Sequence, residues 1–270
     1  LKLGEFAEAK KGLATGNNRR FYFKESSGRG RYNLVDKSKV LTEDELKNLT
    51  YEEKIHGIDI NKYHGRYLVP LDKGVAANID DDWLPNYYVR HQFYVDWSKK
   101  AVNELYHNGG MRNPEYQFQD GIAYSWTGFY APTFRLNTGM VFDQSSSCIF
   151  QNLLHDEVLL GILNSKLNKY ILKNFCDHTV NVTASVIEQA VICLPNENLR
   201  NRIKDLVDII IVKQKKEQNY DFMNNEQKEI DSLVYDLYSF NKKDIIEVET
   251  WYARRYPKLA HLCDIGTTTT

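Results

Sequence analysis

At Glu157 the spacing of apolar residues changes, and that change limits what the chain can fold into. From there Val158, Leu159, Leu160, Ile162, Leu163, Leu167, Tyr170, Ile171, Leu172 and Phe175 recur at helical intervals, so residues 157–174 read as an amphipathic helix with a buried face. Residues 198–218 and 225–238 repeat the pattern, and Asn241 stands as a cap before a last helix over 242–249. Ahead of Glu157 the apolar residues come instead in short aromatic and β-branched runs broken by Gly and Pro: 63–71, Tyr87-Tyr88-Val89, 93–97 and 121–135. One short helix interrupts them at 41–49, where Thr42 precedes the acids Glu43, Asp44 and Glu45. Strands followed by helices predict an α+β fold, with a twisted, mostly antiparallel sheet and a helical C-terminal region. The expected divisions are a sheet domain over 1–195, a helical scaffold or spacer over 196–258 and a frayed tail over 259–270.

Composition narrows the function classes. The 270 residues carry 35 Lys and Arg against 36 Asp and Glu, which argues against a protein that coats polyanions with its whole surface, because counterion release needs clustered cations. Cys148, Cys176, Cys193 and Cys263 form no C-x-x-C pair, so neither a disulfide framework nor a structural zinc site is indicated. No apolar run is long enough to span a bilayer and no leader pattern is visible, so the expected location is cytoplasmic, with no membrane partner. The chain opens on Leu1 rather than Met and reads as a piece of a longer protein.

The charge is unevenly placed. Between residues 10 and 31 lie seven cations, Lys10, Lys11, Arg19, Arg20, Lys24, Arg29 and Arg31, against the single acid Glu25. Gly12, Gly16, Asn17 and Asn18 mark a tight turn, and Arg19-Arg20-Phe21-Tyr22-Phe23 reads as the start of a strand. Lys10, Lys11, Lys24, Arg29 and Arg31 have the chemistry to neutralise phosphates. Thr15, Gly16, Asn17 and Asn18 suit a backbone or a base edge, and Arg19, Arg20 and Arg135 suit guanine or phosphate. Tyr124, Ser125 and Trp126 mix stacking surface with a hydroxyl, and Lys73 sits at a Lys-Gly turn.

These motifs carry a resemblance. Leu3-Gly4-Glu5-Phe6-Ala7, with Gly12-Leu13-Ala14-Thr15-Gly16-Asn17-Asn18-Arg19-Arg20-Phe21, is similar to the "G-L-x-T-G-D-N-x-R-F" opening of target-recognition domains. Those domains belong to adenine-specific DNA methyltransferases of type IIG restriction and BREX phage-defence systems. Here Asn17 replaces the usual Asp. The block from Gly121 to Arg135 resembles the "G-I-x-W-S" strand with Ser125-Trp126 inverted, and Tyr94-Val95-Asp96-Trp97 resembles "V-x-N-W" with Asp96 for Asn. Phe142-Asp143, the helix Leu160-Gly161-Ile162-Leu163-Asn164-Ser165-Lys166 and the end Ile192-Cys193-Leu194-Pro195 follow in the family's order. The segment Glu229-Ile230-Asp231-Ser232-Leu233-Val234-Tyr235-Asp236-Leu237-Tyr238 is similar to a helix that closes many type IIG and type I specificity proteins.

The resemblance implies a bacterial specificity fragment that recognises double-stranded DNA for an N6-adenine methyltransferase. The catalytic domain and its S-adenosylmethionine would lie elsewhere in the same parent chain, with or without an endonuclease activity. No active site is expected in this segment. Asn113-Pro114-Glu115-Tyr116 is one residue from the family's catalytic "N-P-P-Y" loop but has Glu115 in place of the second Pro and reads as a surface turn; Asp80-Asp81-Asp82 reads as a solvated turn; the histidines show no metal spacing. No catalytic residue, metal or cofactor is therefore assigned to this chain. Two alternatives stand beside this reading: half of a type I restriction specificity subunit, and a carbohydrate- or protein-binding module motivated by 18 Tyr and 4 Trp.

Overall fold

The computed structural model describes residues 1–26, 32–74, 84–125, 131–177, 179 and 181–265. Its strands are β1 (Ala7–Lys10), β2 (Tyr22–Lys24), β3 (Asn33–Leu34), β4 (Leu68–Asp72), β5 (Phe93–Asp96), β6 (Gly121–Ser125), β7 (Phe134–Asn137), β8 (Val141–Phe142) and β9 (Ser146–Gln151). Its helices are α1 (Asn18–Phe21), α2 (Glu43–Lys47), α3 (Tyr51–His56), α4 (Lys99–His107), α5 (Asp156–Asn164), α6 (Lys166–Ile171), α7 (Ala184–Ile187), α8 (Glu197–Lys216), α9 (Glu226–Leu237) and α10 (Lys242–Arg255). The fold is α+β, and among the described residues the strands form two sheets. One has the order β1-β9-β6-β7 with every pairing antiparallel; the other has the order β3-β2-β5-β4-β8 and is antiparallel except at its two outer pairings.

Each sheet has its own core, and the two cores divide the chain differently from the division at residue 195. Ile122, Tyr124, Phe134 and Ile149 of the first sheet pack into one cluster with Leu159 and Leu163 of α5, Ile203 and Val207 of α8, Ile230 of α9 and Tyr252 of α10. The C-terminal helices thus form a layer packed against this sheet. At Gly161 an added Cβ would lie 2.6 Å from Ile203 Cγ2, so the glycine lets α5 and α8 approach closely. The second sheet packs Leu13, Phe21, Val69, Val95 and Trp97 against Ala101, Val102 and Leu105 of α4.

Local readings differ from the structure at identifiable points. Residues 157–174 do not form one helix. Ser165 ends α5, donates its hydroxyl to Ile162 O at 2.7 Å and caps α6 by accepting from Asn168 N, after which residues 172–176 wind as a π turn. Tyr87 takes φ +66°, so Tyr87-Tyr88-Val89 is no strand, and the Tyr87 ring instead packs on Phe222 at 5.3 Å. The helix over 242–249 continues to Arg255. The expected tail starts late: Pro257–Leu262 is a 3-10 helix with Leu259 and Leu262 buried.

Buried charge ties this helical layer together. Lys166 Nζ donates to Glu249 Oε2 at 2.7 Å and Leu262 O at 2.9 Å, and Asp231 Oδ1 accepts from Lys166 N at 2.9 Å. Burial raises the Asp231 carboxyl to about 6, with Lys166 opposing the shift.

Candidate nucleic-acid interface

The Gly12-to-Asn18 turn is clamped onto a part of the chain far from it in sequence. Leu13 N donates to Phe142 O and Gln144 N to Leu13 O, each at 2.9 Å, and Ala14 N donates to Gly110 O at 2.9 Å. A Cβ on Gly12 would lie 2.1 Å from Phe142 O, so only glycine permits the approach. Thr15, which is buried, donates its hydroxyl to Asn18 Oδ1 at 2.7 Å, Gly16 takes φ +65° with open space around it, and Asn17 caps α1 by accepting from Arg20 N. That cap corrects the extended reading of Arg19-Arg20-Phe21: the chain makes one helical turn first, and the strand begins at Tyr22.

The Lys73-Gly74 turn closes the other side of the same place. Lys73 Nζ pairs with Asp143, lies 3.3 Å from Ser145 Oγ and sits 5.4 Å from the Tyr22 ring centre. Gly74 takes φ +78°, and a Cβ there would meet Ser145 O at 2.7 Å. Asp143 is buried, and that burial raises its carboxyl above the ordinary range against the pull of Lys73. The Gly12-to-Asn18 turn, through Gly12 and Leu13, and Lys73-Gly74 therefore both meet the Phe142-to-Ser145 segment at one edge of the second sheet.

Several sequence candidates are engaged internally. Arg135 is 2 % exposed and pairs with Asp72 through Nε at 3.2 Å, so it is not an outward guanidinium for base or phosphate. Arg20 bridges Asp96 and Glu104, each at 3.1 Å, which ties α1 to β5 and α4. Lys73 belongs to the Asp143 pair. Tyr124 is fully buried in the first core, where it packs against Phe134, and Ser125 Oγ lies 2.9 Å from Thr133 Oγ1 at the end of β6. Arg29, Arg31 and Trp126 lie outside the described residues, as do Asp80, Asp81 and Asp82.

The outward cations fall into two groups. Lys10 and Lys11 line a shallow concavity of about 530 Å³ with Arg112 and Asn113, where Asn113 Nδ2 donates to Lys11 O at 2.8 Å. Lys10 is paired with Glu8 at 3.0 Å and lies 4.8 Å from the Tyr116 ring centre; Lys11 and Arg112 have no carboxylate partner among the described residues. Asn113 itself takes φ +44° ahead of a 3-10 turn, as a surface loop would. Arg19 is exposed on α1. The second group, Lys24 and Arg90, borders a cleft of about 420 Å³ between β2, β4, β7 and the segment before β5. Arg90 and Arg112 were missed in the sequence, where each is a lone cation beside a loop; only folding sets them next to Lys24 and Lys10.

Among the described residues no three His, Cys, Asp or Glu side chains gather as a metal site, and no helix is long and apolar enough to cross a membrane. No protein-family model matches the chain, and no curated protein matches it.

Proposed function

We propose that this chain is the DNA-recognition part of a bacterial adenine-specific DNA methyltransferase, binding duplex DNA for a catalytic domain carried elsewhere in the parent protein. The observation that supports this reading most is the meeting, near Phe142-Asp143, of the Gly12-to-Asn18 turn, through Gly12 and Leu13, with Lys73-Gly74. All three lie among the segments in which the sequence is similar to the recognition domains, and glycine is required where Gly12 meets Phe142 O and where Gly74 meets Ser145 O. The turn then offers Gly16 and its backbone to a partner beside exposed Arg19, with Lys10, Lys11 and Arg112 to hold phosphates. S-adenosylmethionine has its place in the catalytic domain. The aromatic content that motivated a sugar-binding module has another use: Tyr22, Tyr87, Trp97 and Tyr124 are fully buried.

Fluorescence anisotropy with a random-sequence duplex at two salt concentrations tests the proposal. Affinity should fall steeply as salt rises, and Lys10→Ala/Lys11→Ala/Arg112→Ala should flatten the log–log salt slope by about 3, one for each phosphate that is no longer neutralised. No binding even at low salt would sink it.

A further inference from the structure

The cleft between the two sheets has a chemistry that a duplex rod does not fit. Its lining includes Lys24, Lys73, Arg90 and Arg135, with Asp72 as the single carboxylate among the lining residues. Lys73 and Arg135 are neutralised by Asp143 and Asp72, which leaves Lys24 and Arg90 without an ion pair among the described residues. At the wall, Arg135 keeps Nη1 buried with no hydrogen-bond partner among the described residues. A native fold rarely leaves a charged donor in that state without a role for it. Arg90 is held in place by its backbone, since Arg90 N donates to Gln218 Oε1 at 2.7 Å and Gln218 Nε2 donates to Tyr88 O at 3.1 Å. Phe93 adds a half-buried ring, with Lys24 Nζ 5.4 Å from its centre and Tyr32 edge-on at 5.1 Å. An anion site beside an aromatic face, in a concave volume of about 420 Å³, has the size and the two chemistries of one nucleotide.

We infer that this cleft binds a single nucleoside monophosphate unit, with its phosphate between Lys24 and Arg90 and its base against Phe93. The unit is either a free nucleotide or one unpaired nucleotide of a DNA strand. The inference stands on the cleft alone and does not require the duplex reading to hold. Calorimetric titration of the chain with AMP, adenosine and inorganic phosphate tests it. AMP should bind saturably, and roughly tenfold more tightly than either fragment, because charge and stacking act together. Arg90→Ala and Lys24→Ala should each weaken AMP roughly five- to tenfold, the loss expected for one charge-assisted contact. Circular dichroism checks that both variants keep the fold; Arg135 is left intact because its removal would strand buried Asp72. No saturation by about 10 mM AMP, or unchanged affinity in both variants, overturns the inference. Phosphate binding as tightly as AMP overturns the base-stacking part and with it the nucleotide assignment. A duplex with one unpaired nucleotide, compared with its fully paired form, separates the sources. Preference for the unpaired form that Arg90→Ala abolishes assigns the site to a DNA nucleotide, and equal binding assigns it to the free one. Duplex binding that fails while AMP binds defeats the recognition proposal and leaves this one standing.

Discussion

Lysines on α6 and the π turn and cations at the sheet edges show two opposite uses of positive charge in one chain. Lys166, Lys169 and Lys173 are all buried, and each ammonium is satisfied from within: Lys166 by Glu249 and Leu262 O, Lys169 by Asn164 O at 2.7 Å, Lys173 by Thr179 O at 2.7 Å. Lys11, Arg19, Lys24, Arg90 and Arg112 have no carboxylate partner among the described residues and line concavities or stand exposed. Desolvating a charge is tolerable only where partners replace water, so the first set is committed to holding helices together. The second set stays hydrated and free to exchange its counterions for an anion. Arg135 and Lys73 show how misleading residue type is by itself: both read as outward cations, yet Arg135 is buried against Asp72 and Lys73 is paired with Asp143.

Removing one partner on the buried side should have the largest effect. Glu249→Ala leaves the Lys166 ammonium with Leu262 O and the more distant Asp231 carboxylate at 4.0 Å, and strands the Tyr235 hydroxyl, which donates to Glu249 Oε1 at 2.7 Å. Urea denaturation should show a loss of about 3–5 kcal/mol, and a loss below about 1 kcal/mol would mean this network does not hold the helical layer. Next comes a pH effect. Burial lowers Lys169 to about 8 from 10.5, so between those values the unfolded chain binds more protons than the folded one. Stability should therefore rise with pH across that window, by up to about 3 kcal/mol from this group. Lys169→Met should remove that part of the slope, and parallel stability–pH curves for the two proteins would contradict the assignment. The smallest effect belongs to the open cations: Lys11→Ala with Arg19→Ala should change the unfolding free energy by no more than about 0.5 kcal/mol. A larger loss would place these residues with the structural set and break the contrast.

Much of the fold was legible because it rests on local pattern. The capping box at Thr42 and Glu45 is present, α8 and α9 lie where the apolar spacing put them, and β5 and β6 follow their aromatic and β-branched runs. The misreadings share a different cause. Ser165 breaks the long helix because Asp231, from α9, waits to accept Lys166 N. The positive φ at Tyr87 goes with a ring buried against Phe222 and a hydroxyl that donates to Gln227 Oε1 at 2.6 Å. Each is decided by a partner that local sequence does not contain. The same holds for the candidate site. The turn residues were visible as Gly and Asn, but which cations face outward depends on where Asp72, Asp96 and Asp143 end up, and no spacing rule connects Arg135 to Asp72.

The place of β1 in the first sheet bears on how the protein is made. Among the described residues this opening strand lies at the sheet edge and pairs only with β9, and it is held on its other flank where Ala9 N donates to Glu188 Oε1, 179 residues further along the chain. A ribosome adding about 5–20 residues per second leaves that first strand without its flank for roughly 10–40 s. Closure over such a distance is the slow, high-contact-order kind of folding step. The strand's own residues, Ala7-Glu8-Ala9-Lys10, are short, small and charged, which makes it a poor template for pairing with a neighbouring nascent chain while it waits.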